Sequence, residues 1–475
     1  MNKKEIEQLK TKLFKQDRLA WDELASAETE KVFALAEDYK IFLDRSKTER
    51  EAAGQIVARA EDKGFISMDA ALKQGSVSPH QKVYSIFKEK CVALAVVGKA
   101  PIQDGMNLIA SHIDSPRLDL KQNPVYEDTD LALLKTHYYG GIRKYQWMSI
   151  PLALHGRIIR ADGETMDITI GEGADDPVFV VSDLLPHLAG KIQEDKKLSE
   201  AFEGEKLNLI AGSLPLGKDS VSDRFKLALL NLFHQRYGIC EADFVSAELE
   251  AVPAGRSRDI GLDRSLVGGY GQDDRICAFT ELTALLETKA PQRTALGLFF
   301  DKEEIGSEGN TGAQTAFMAD FISDLLRLTT GAGAVTEQTV RRALINTRAL
   351  SADVNAAMDP DFKEVHEKMN AAKIGHGVCM TKFTGSRGKS GSSDASAEFV
   401  GAIRTLFDKN NIVWQTGELG KIDQGGGGTL AKFLAQRGME ILDCGPAVLS
   451  MHSPFEIASK ADIYMTFKGY HAFFA

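Results

Sequence analysis

The sequence has few cysteines, and none of them forms a CxxC pair. The five are scattered through 475 residues, at Cys91, Cys240, Cys277, Cys379 and Cys444. An odd number of dispersed cysteines is typical of a reducing compartment, and it excludes a cysteine-rich zinc site. We therefore expect a cytoplasmic protein without disulfide bonds as its framework.

Long apolar runs and an excess of positive charge are also missing. No uninterrupted apolar stretch is long enough to span a bilayer, and the charged segment 1–16 lacks the apolar region of a secretory signal. The formal net charge of −10 disfavours a nucleic-acid partner. We expect a soluble protein that binds neither membranes nor nucleic acid.

The pattern of apolar residues predicts an α/β fold with two domains. A chain of 475 residues exceeds the size of most single cores. Short apolar strands such as Cys91–Gly98 and Thr294–Phe300 alternate with helical segments such as Ala395–Phe407, which predicts a mixed sheet with helices on both faces. Helices are also predicted at the start of the chain, the first over Glu5–Ala27.

Residues 122–252 have a different pattern, which indicates an inserted domain. His155–Gly171 alternates apolar and polar residues around a glycine-containing turn, as a β-hairpin does. The segment also contains few clustered acids and histidines. We predict a main domain formed by residues 1–121 and 253–475, interrupted by a β-rich insert over residues 122–252.

Histidines and carboxylates follow several apolar strands directly. Ligand sites in open α/β sheets form beyond the carboxyl ends of the strands, so these side chains can meet. The segments are Ser111–Pro116, Gly271–Arg275, Phe299–Ser307, Leu350–Val354 and Ser450–Glu456. Each alone also fits an ordinary explanation, such as a helix-capping aspartate or a solvated charged turn.

Together, the five segments supply two histidines, two aspartates and two glutamates, which is a full ligand set for two divalent ions. Zinc accepts histidine nitrogen and carboxylate oxygen, and two ions can share a carboxylate and a water. The neighbouring Glu303 and Glu304 can divide the roles of general base and metal ligand. Asp114 projects on the same side of an extended chain as His112 and can orient its ring.

The ordered motifs HxD, DD, EEIG, SAD and MHS resemble the aspartyl aminopeptidase family of dinuclear zinc metalloaminopeptidases. The segments Ala110–Pro124 and Leu449–Glu456 are especially similar, and the resemblance runs from about residue 39 to the C-terminus. It implies one zinc ion on His112, Asp273 and Asp353. It implies a second on Asp273, Glu304 and His452, with Asp273 bridging. Glu303 would be the general base on a water between the ions, and Asp114 would orient His112.

The resemblance also implies an activity and an assembly. The enzyme would remove single residues from the N-termini of peptides, with a preference for Asp or Glu that Lys382 would provide. Two Zn²⁺ ions per chain would be replaceable by Co²⁺ or Mn²⁺. The insert would be a dimerisation domain within a tetrahedral dodecamer, and His155 would reach the active site of a neighbouring subunit.

Two departures from the family pattern lie on the substrate side. The residues after Asp353 lack the histidine and asparagine that family members often have there, and Lys382–Glu398 is longer and richer in glycine. Specificity for neutral or basic residues is therefore an alternative, as are a dipeptidase, an N-acyl amino acid deacylase and a non-catalytic shell-forming scaffold. His155 also fits an ordinary hairpin histidine.

Overall fold

The computed structural model describes residues 1–218, 222–331, 333 and 335–475. The helices are α1 (Lys3–Leu13), α2 (Ala20–Glu23), α3 (Ser26–Asp44), α4 (Glu49–Asp62), α5 (Met68–Gln74), α6 (Pro186–Ala189), α7 (Leu198–Ala201), α8 (Arg224–Tyr237), α9 (Gln272–Glu287), α10 (Phe317–Thr330), α11 (Glu337–Ile345), α12 (Ala397–Lys409), α13 (Ala431–Ala435) and α14 (Lys460–Phe474). Among these described helices, none has the length and apolar character needed to cross a membrane.

The strands are β1 (Ile66–Ser67), β2 (Lys82–Phe87), β3 (Cys91–Val96), β4 (Asn107–His112), β5 (Arg117–Asp128), β6 (Leu131–Tyr139), β7 (Leu152–Ile159), β8 (Thr165–Ile170), β9 (Leu209–Gly212), β10 (Ala247–Pro253), β11 (Arg258–Ile260), β12 (Leu266–Gly269), β13 (Ala295–Phe300), β14 (Arg348–Ser351), β15 (Asn355–Ala356), β16 (Val378–Thr381), β17 (Trp414–Thr416), β18 (Glu440–Gly445), β19 (Ala447–Leu449) and β20 (Glu456–Ser459). In the described part of the chain they form sheets of nine, six and five strands.

The nine-stranded sheet is mixed, and its centre is parallel. Its strand order is β1-β2-β3-β13-β4-β14-β18-β16-β17. The neighbours β13, β4, β14 and β18 are parallel, whereas β3 and β16 pair with this group in the antiparallel sense. The carboxyl ends of the four parallel strands therefore meet at one edge, where the sequence places most of the candidate site residues.

Helices cover both faces of this sheet, because alternate residues of a strand point to opposite sides. On β3, Val92 and Leu94 pack in one core with α3, α4, α9, α12 and α14. Ala93 and Ala95 pack in a second core with α5, α10, α11 and α13. The strands are buried on both faces, which explains why they are continuous apolar runs in the sequence.

The six-stranded sheet has its own hydrophobic core, built around Trp147, Leu154 and Phe244. Its order is β8-β7-β10-β5-β6-β9, with antiparallel pairing throughout, and β7 and β8 form the predicted hairpin. These strands lie between Arg117 and Pro253. The β-rich insert over residues 122–252, and its role in dimerisation, stay predictions.

The first helix is much shorter than the predicted Glu5–Ala27. It ends at Leu13, and Phe14 is already extended. The chain then lies against another part of the fold: Asp17 forms an ion pair with Lys373, and the Ala20 N–H donates to the Gly375 carbonyl. These tertiary contacts outweigh the helical propensity of the segment.

Candidate functional site

The candidate residues converge where the central strands end. His112 is the last residue of β4 and pairs in register with Phe300, the last residue of β13. Glu303 and Glu304 follow β13 in a single 3₁₀ turn, and Asp353 follows β14. His452 lies after β19 in the left-handed region, with φ 63°. Backbone in this region is strained for a non-glycine residue and is held by its surroundings.

Asp273, near the start of α9, lies between the two histidines. Its Oδ1 is 3.2 Å from Nε2 of His112, and its Oδ2 is 3.3 Å from Nε2 of His452. Glu304 Oε2 is 3.5 Å from the same nitrogen of His452. One carboxylate thus presents one oxygen to each imidazole, which is the arrangement a carboxylate needs to bridge two ions.

The side chains at this point suit metal ions. Ligand atoms of His112, Asp273 and Glu304 lie within 4.8 Å of one another, as do those of His112, Asp274 and Asp353. Glu304 Oε1 and Asp274 Oδ1 are buried without a hydrogen-bond partner in the described part of the chain. A buried acceptor without a donor is costly, and a cation would satisfy it. The residues present therefore fit a divalent-metal centre.

Electrostatics at the site support the same conclusion. Burial, reinforced by Asp273, raises the pKa of Glu304 well above its ordinary value. Burial, together with the negative charges of Asp274 and Asp273, also raises the pKa of Asp353 well above its ordinary value. Burial also opposes ionisation of Asp273, but hydrogen bonds from His112 and His452 outweigh it and lower the pKa. So many buried carboxylates need positive charge to ionise together, and divalent cations provide it.

Asp114 and Glu303 are arranged for different tasks. Asp114 Oδ1 is 3.2 Å from Nδ1 of His112, and it also accepts the Glu303 N–H at 3.1 Å. Burial, reinforced by Asp114 and Asp273, raises the pKa of Glu303 to about 7. A carboxyl group with a pKa near neutrality can both accept and return a proton, which suits a general base.

A cavity of about 890 Å³ opens in front of these residues. Its lining includes Glu303, Asp353, Phe383, Asp443 and the glycine-rich segment 425–428. The volume falls within the range of about 300–1,000 Å³ that is typical of small-molecule and cofactor sites. The cavity therefore has room for the end of a peptide beside the carboxylate cluster.

Two predicted site residues lie outside the cluster of carboxylates and histidines. His155 is buried on β7, with Nδ1 2.8 Å from Glu51 Oε1 and Nε2 3.1 Å from Glu172 Oε1. Burial lowers the pKa of His155, but Glu172 and Glu51 outweigh it and raise the pKa to about 9. Both ring nitrogens are thus engaged within the chain, as expected of an ordinary structural histidine. The role of His155 in a neighbouring subunit stays a prediction.

Lys382 is half-buried and pairs with Asp394, and the residues that line the cavity do not include it. Its ammonium lies 4.1 Å from the centroid of the Phe383 ring. Phe383 and Asp394 line the cavity, and so does Lys432 on α13. The part of Lys382 in substrate binding stays a prediction, and Lys432 is a second lysine to consider.

The sequence did not predict roles for Asp274 and Glu456. Asp274 is fully buried beside His112, and its pKa is raised well above the ordinary value by burial. Glu456 accepts the His452 N–H at 2.8 Å and the Asp273 N–H at 3.1 Å, so it ties the backbones of both residues together. Both residues lie in the quoted motifs, but their burial cannot be read from the motifs alone.

The model of the family described as aminopeptidase I zinc metalloprotease (M18) matches residues 42–474. The chain belongs to the M18 family. A Clostridium acetobutylicum protein named as a probable M18 family aminopeptidase 1 is 48% identical to this M18 chain over 462 residues, 97% of this chain and 98% of the relative. The protein of that name from Thermotoga maritima is 46% identical over 443 residues, 93% of this chain and 96% of the relative.

Solved structures of M18 aminopeptidases have the same fold. The crystal structure of the Thermotoga maritima enzyme matches with a TM-score of 0.91 and 44% identity, covering 97% of this chain and 99% of that one. The crystal structure of aminopeptidase I from Clostridium acetobutylicum matches with a TM-score of 0.90 and 45% identity, covering 98% of this chain and 100% of that one. The predicted α/β fold and the prediction of a metalloaminopeptidase of this family are confirmed.

Proposed function

We propose that this M18 aminopeptidase removes the N-terminal residue of peptides with two zinc ions in one centre. His112, Asp273 and Asp353 would hold one ion, and Asp273, Glu304 and His452 the other. The observation that carries the proposal is the Asp273 carboxylate, which presents one oxygen to each imidazole. Bound ions would polarise the scissile carbonyl and lower the pKa of a water molecule. Co²⁺ or Mn²⁺ could replace zinc, because both accept imidazole and carboxylate ligands.

The protein's own groups would handle the protons. Glu303 accepts a proton from the attacking water, because its carboxyl group lines the cavity beside the proposed ligand Glu304. It then gives the proton to the departing amine, so the leaving group departs uncharged. Asp114 keeps the His112 ring in place, since its carboxylate accepts from Nδ1 and leaves Nε2 toward Asp273.

The cavity contains groups that fit two different preferences for the N-terminal residue of the substrate, an acidic one and a basic one. A preference for Asp or Glu needs a cation in the cavity, and Lys432 lines it whereas Lys382 pairs with Asp394. A preference for a basic residue needs an anion there, and Asp443 fits this role. Asp443 lines the cavity, and the residue is 5% exposed. The buried Asp443 favours the second candidate, a basic N-terminal residue.

A panel of aminoacyl chromogenic substrates decides between these explanations. If Asp443 reads a basic side chain, Asp443→Asn should lower kcat/KM for lysyl and arginyl substrates by about 10–100-fold, the size of one lost charged hydrogen bond. Its kcat/KM for leucyl substrates should change little. Lys432→Gln should act only on aspartyl and glutamyl substrates if the preference is acidic, and Lys382→Gln tests the other candidate lysine in the same way. Equal effects of Asp443→Asn on all substrates would contradict a specificity role.

We also propose that the chain assembles through its insert into a dimer-based, tetrahedral dodecamer. A solved structure of Saccharomyces cerevisiae mApe1 is described as a dodecamer and shares the fold, with 19% identity and a TM-score of 0.73. In this chain the insert exposes large apolar side chains, including Leu185, Leu188 and Ile192. Apolar side chains grouped on a surface are typical of protein interfaces.

Light scattering of the purified protein should therefore give a particle mass far above the 51.9 kDa of one chain. The double variant Leu185→Asp, Leu188→Asp should dissociate the particle, because it places charges in an apolar interface. Leu262→Asp is the matched control, since Leu262 is fully exposed outside the insert. A wild-type monomer with full activity would contradict both the assembly and a role of His155 in a neighbouring active site.

A further inference from the structure

The end of strand β6 in the six-stranded sheet reaches the metal-ligand cluster at two points. Tyr139 is the last residue of the strand, and Gly140 and Gly141 follow it. The Tyr139 hydroxyl donates to Asp114 Oδ2 at 2.7 Å. The Gly141 carbonyl oxygen is 2.7 Å from Nδ1 of His452. One three-residue segment thus contacts the carboxylate that supports His112 and, directly, the ring of His452.

These contacts fix which nitrogen of each histidine remains for a metal ion. A carbonyl oxygen can only accept, so Nδ1 of His452 carries a proton and Nε2 is the nitrogen left for a metal ion. Nδ1 of His112 faces two acceptors, the Asp114 carbonyl oxygen at 3.1 Å and Oδ1 at 3.2 Å, so it too carries the proton. In both rings Nε2 lies beside the Asp273 carboxylate, and a bound metal ion would take the place of the proton between them.

The segment is itself held firmly. Arg117 lies opposite Tyr139 on β5, and its guanidinium is 4.0 Å from the centroid of the tyrosine ring. Arg117 Nε is 3.1 Å from the buried Glu250. Gly140 has φ 74°, and a Cβ there would lie 3.2 Å from Pro116. Glycine at this position lets the chain turn from the strand into the site.

We propose that the segment Tyr139–Gly141 is a positioning element for both metal ions, because its phenol fixes Asp114 behind His112 and its carbonyl fixes His452. The inference rests on the proposed two-zinc centre. It assigns the six-stranded sheet a part in metal binding in addition to the assembly proposed above. Outer contacts of this kind orient the ligands and raise their affinity for metal.

Tyr139→Phe tests the first contact, because it removes only the hydroxyl oxygen. In chelator competition on the full-length protein, the affinity for one of the two zinc ions should fall by about 10–100-fold. The visible absorption of the cobalt-substituted protein should shift as well, since the ligand field of one ion changes. Tyr138→Phe is the matched control: Tyr138 is the preceding strand residue, points to the opposite face and is 44% exposed.

Gly141→Ala tests the second contact independently. Its Cβ would lie 3.3 Å from Nδ1 of His452, so the ring must shift. Gly141 is not among the positive-φ glycines, so its backbone conformation suits alanine. This variant should lower the affinity for the other zinc ion, not for the one that Tyr139→Phe affects.

Two results would overturn the positioning role. One is unchanged zinc affinity and an unchanged cobalt spectrum in both variants. The other is a lower melting temperature of the metal-free proteins without selective loss of either ion, which would make the segment merely structural. If the wild-type protein itself fails to bind two zinc ions, the proposed two-zinc centre is wrong, and this inference falls with it.

Discussion

Replacing Asp273 with alanine is expected to remove both zinc ions and to lower kcat/KM for peptide hydrolysis by at least about 10³-fold, the effect of losing a dominant electrostatic group in an active site. The reason is that Asp273 presents Oδ1 to His112 and Oδ2 to His452. No other replacement of a single ligand should affect both ions equally. Metal content by mass spectrometry and steady-state kinetics on the same preparation would measure both effects.

The control for this variant is Asp22→Ala, which removes an exposed aspartate from α2. It should keep two zinc ions and wild-type kinetics. Asp353→Ala and His452→Ala provide a further comparison, because each should weaken mainly one ion. A folded Asp273→Ala protein that retains two zinc ions would contradict the bridging position.

Replacing Glu303 with glutamine is expected to separate catalysis from metal binding. Glutamine keeps the size and hydrogen-bonding capacity of the side chain, but it cannot accept a proton at neutral pH. Loss of a general base costs about 10²–10⁴-fold, so kcat should fall that far while KM changes little. Both zinc ions should remain, because Glu304 is the proposed ligand. Single-turnover kinetics and metal analysis would establish this.

Glu304→Gln is the matched control, since it makes the same chemical change at the adjacent position. It should weaken one zinc ion as well as the rate, because Glu304 Oε2 lies 3.5 Å from Nε2 of His452. The opposite pattern would reverse the roles of the two glutamates. If neither change slowed hydrolysis, the Glu303–Ile305 turn would be only a charged loop.

The sequence predicts the central sheet and the main candidate ligands for one physical reason. Buried parallel strands must be apolar, so a charged residue directly after such a strand marks the sheet edge where ligands bind. His112, Glu304 and Asp353 are recognisable in this way, and the structure groups His112 with Asp273 and Glu304 and also with Asp274 and Asp353.

Contacts that depend on distant parts of the chain are not recognisable in this way. Tyr139 contacts Asp114 because the antiparallel pairing of β5 and β6 places it opposite Arg117, three residues after Asp114. The sequence also could not predict where the Lys382 side chain lies. Its partner Asp394 is within the glycine-rich segment, whose path depends on tertiary contacts. The early end of α1 has the same cause, since Asp17 pairs with Lys373.

The most direct test of the two-zinc aminopeptidase is a zinc titration of the fully chelated protein, followed by hydrolysis of one peptide with a free N-terminus and of its N-acetylated form. A two-zinc aminopeptidase should show no activity without metal, full activity at two zinc equivalents per chain, and cleavage of the free peptide alone. Full activity with one equivalent or none, or equal cleavage of the acetylated peptide, would contradict it.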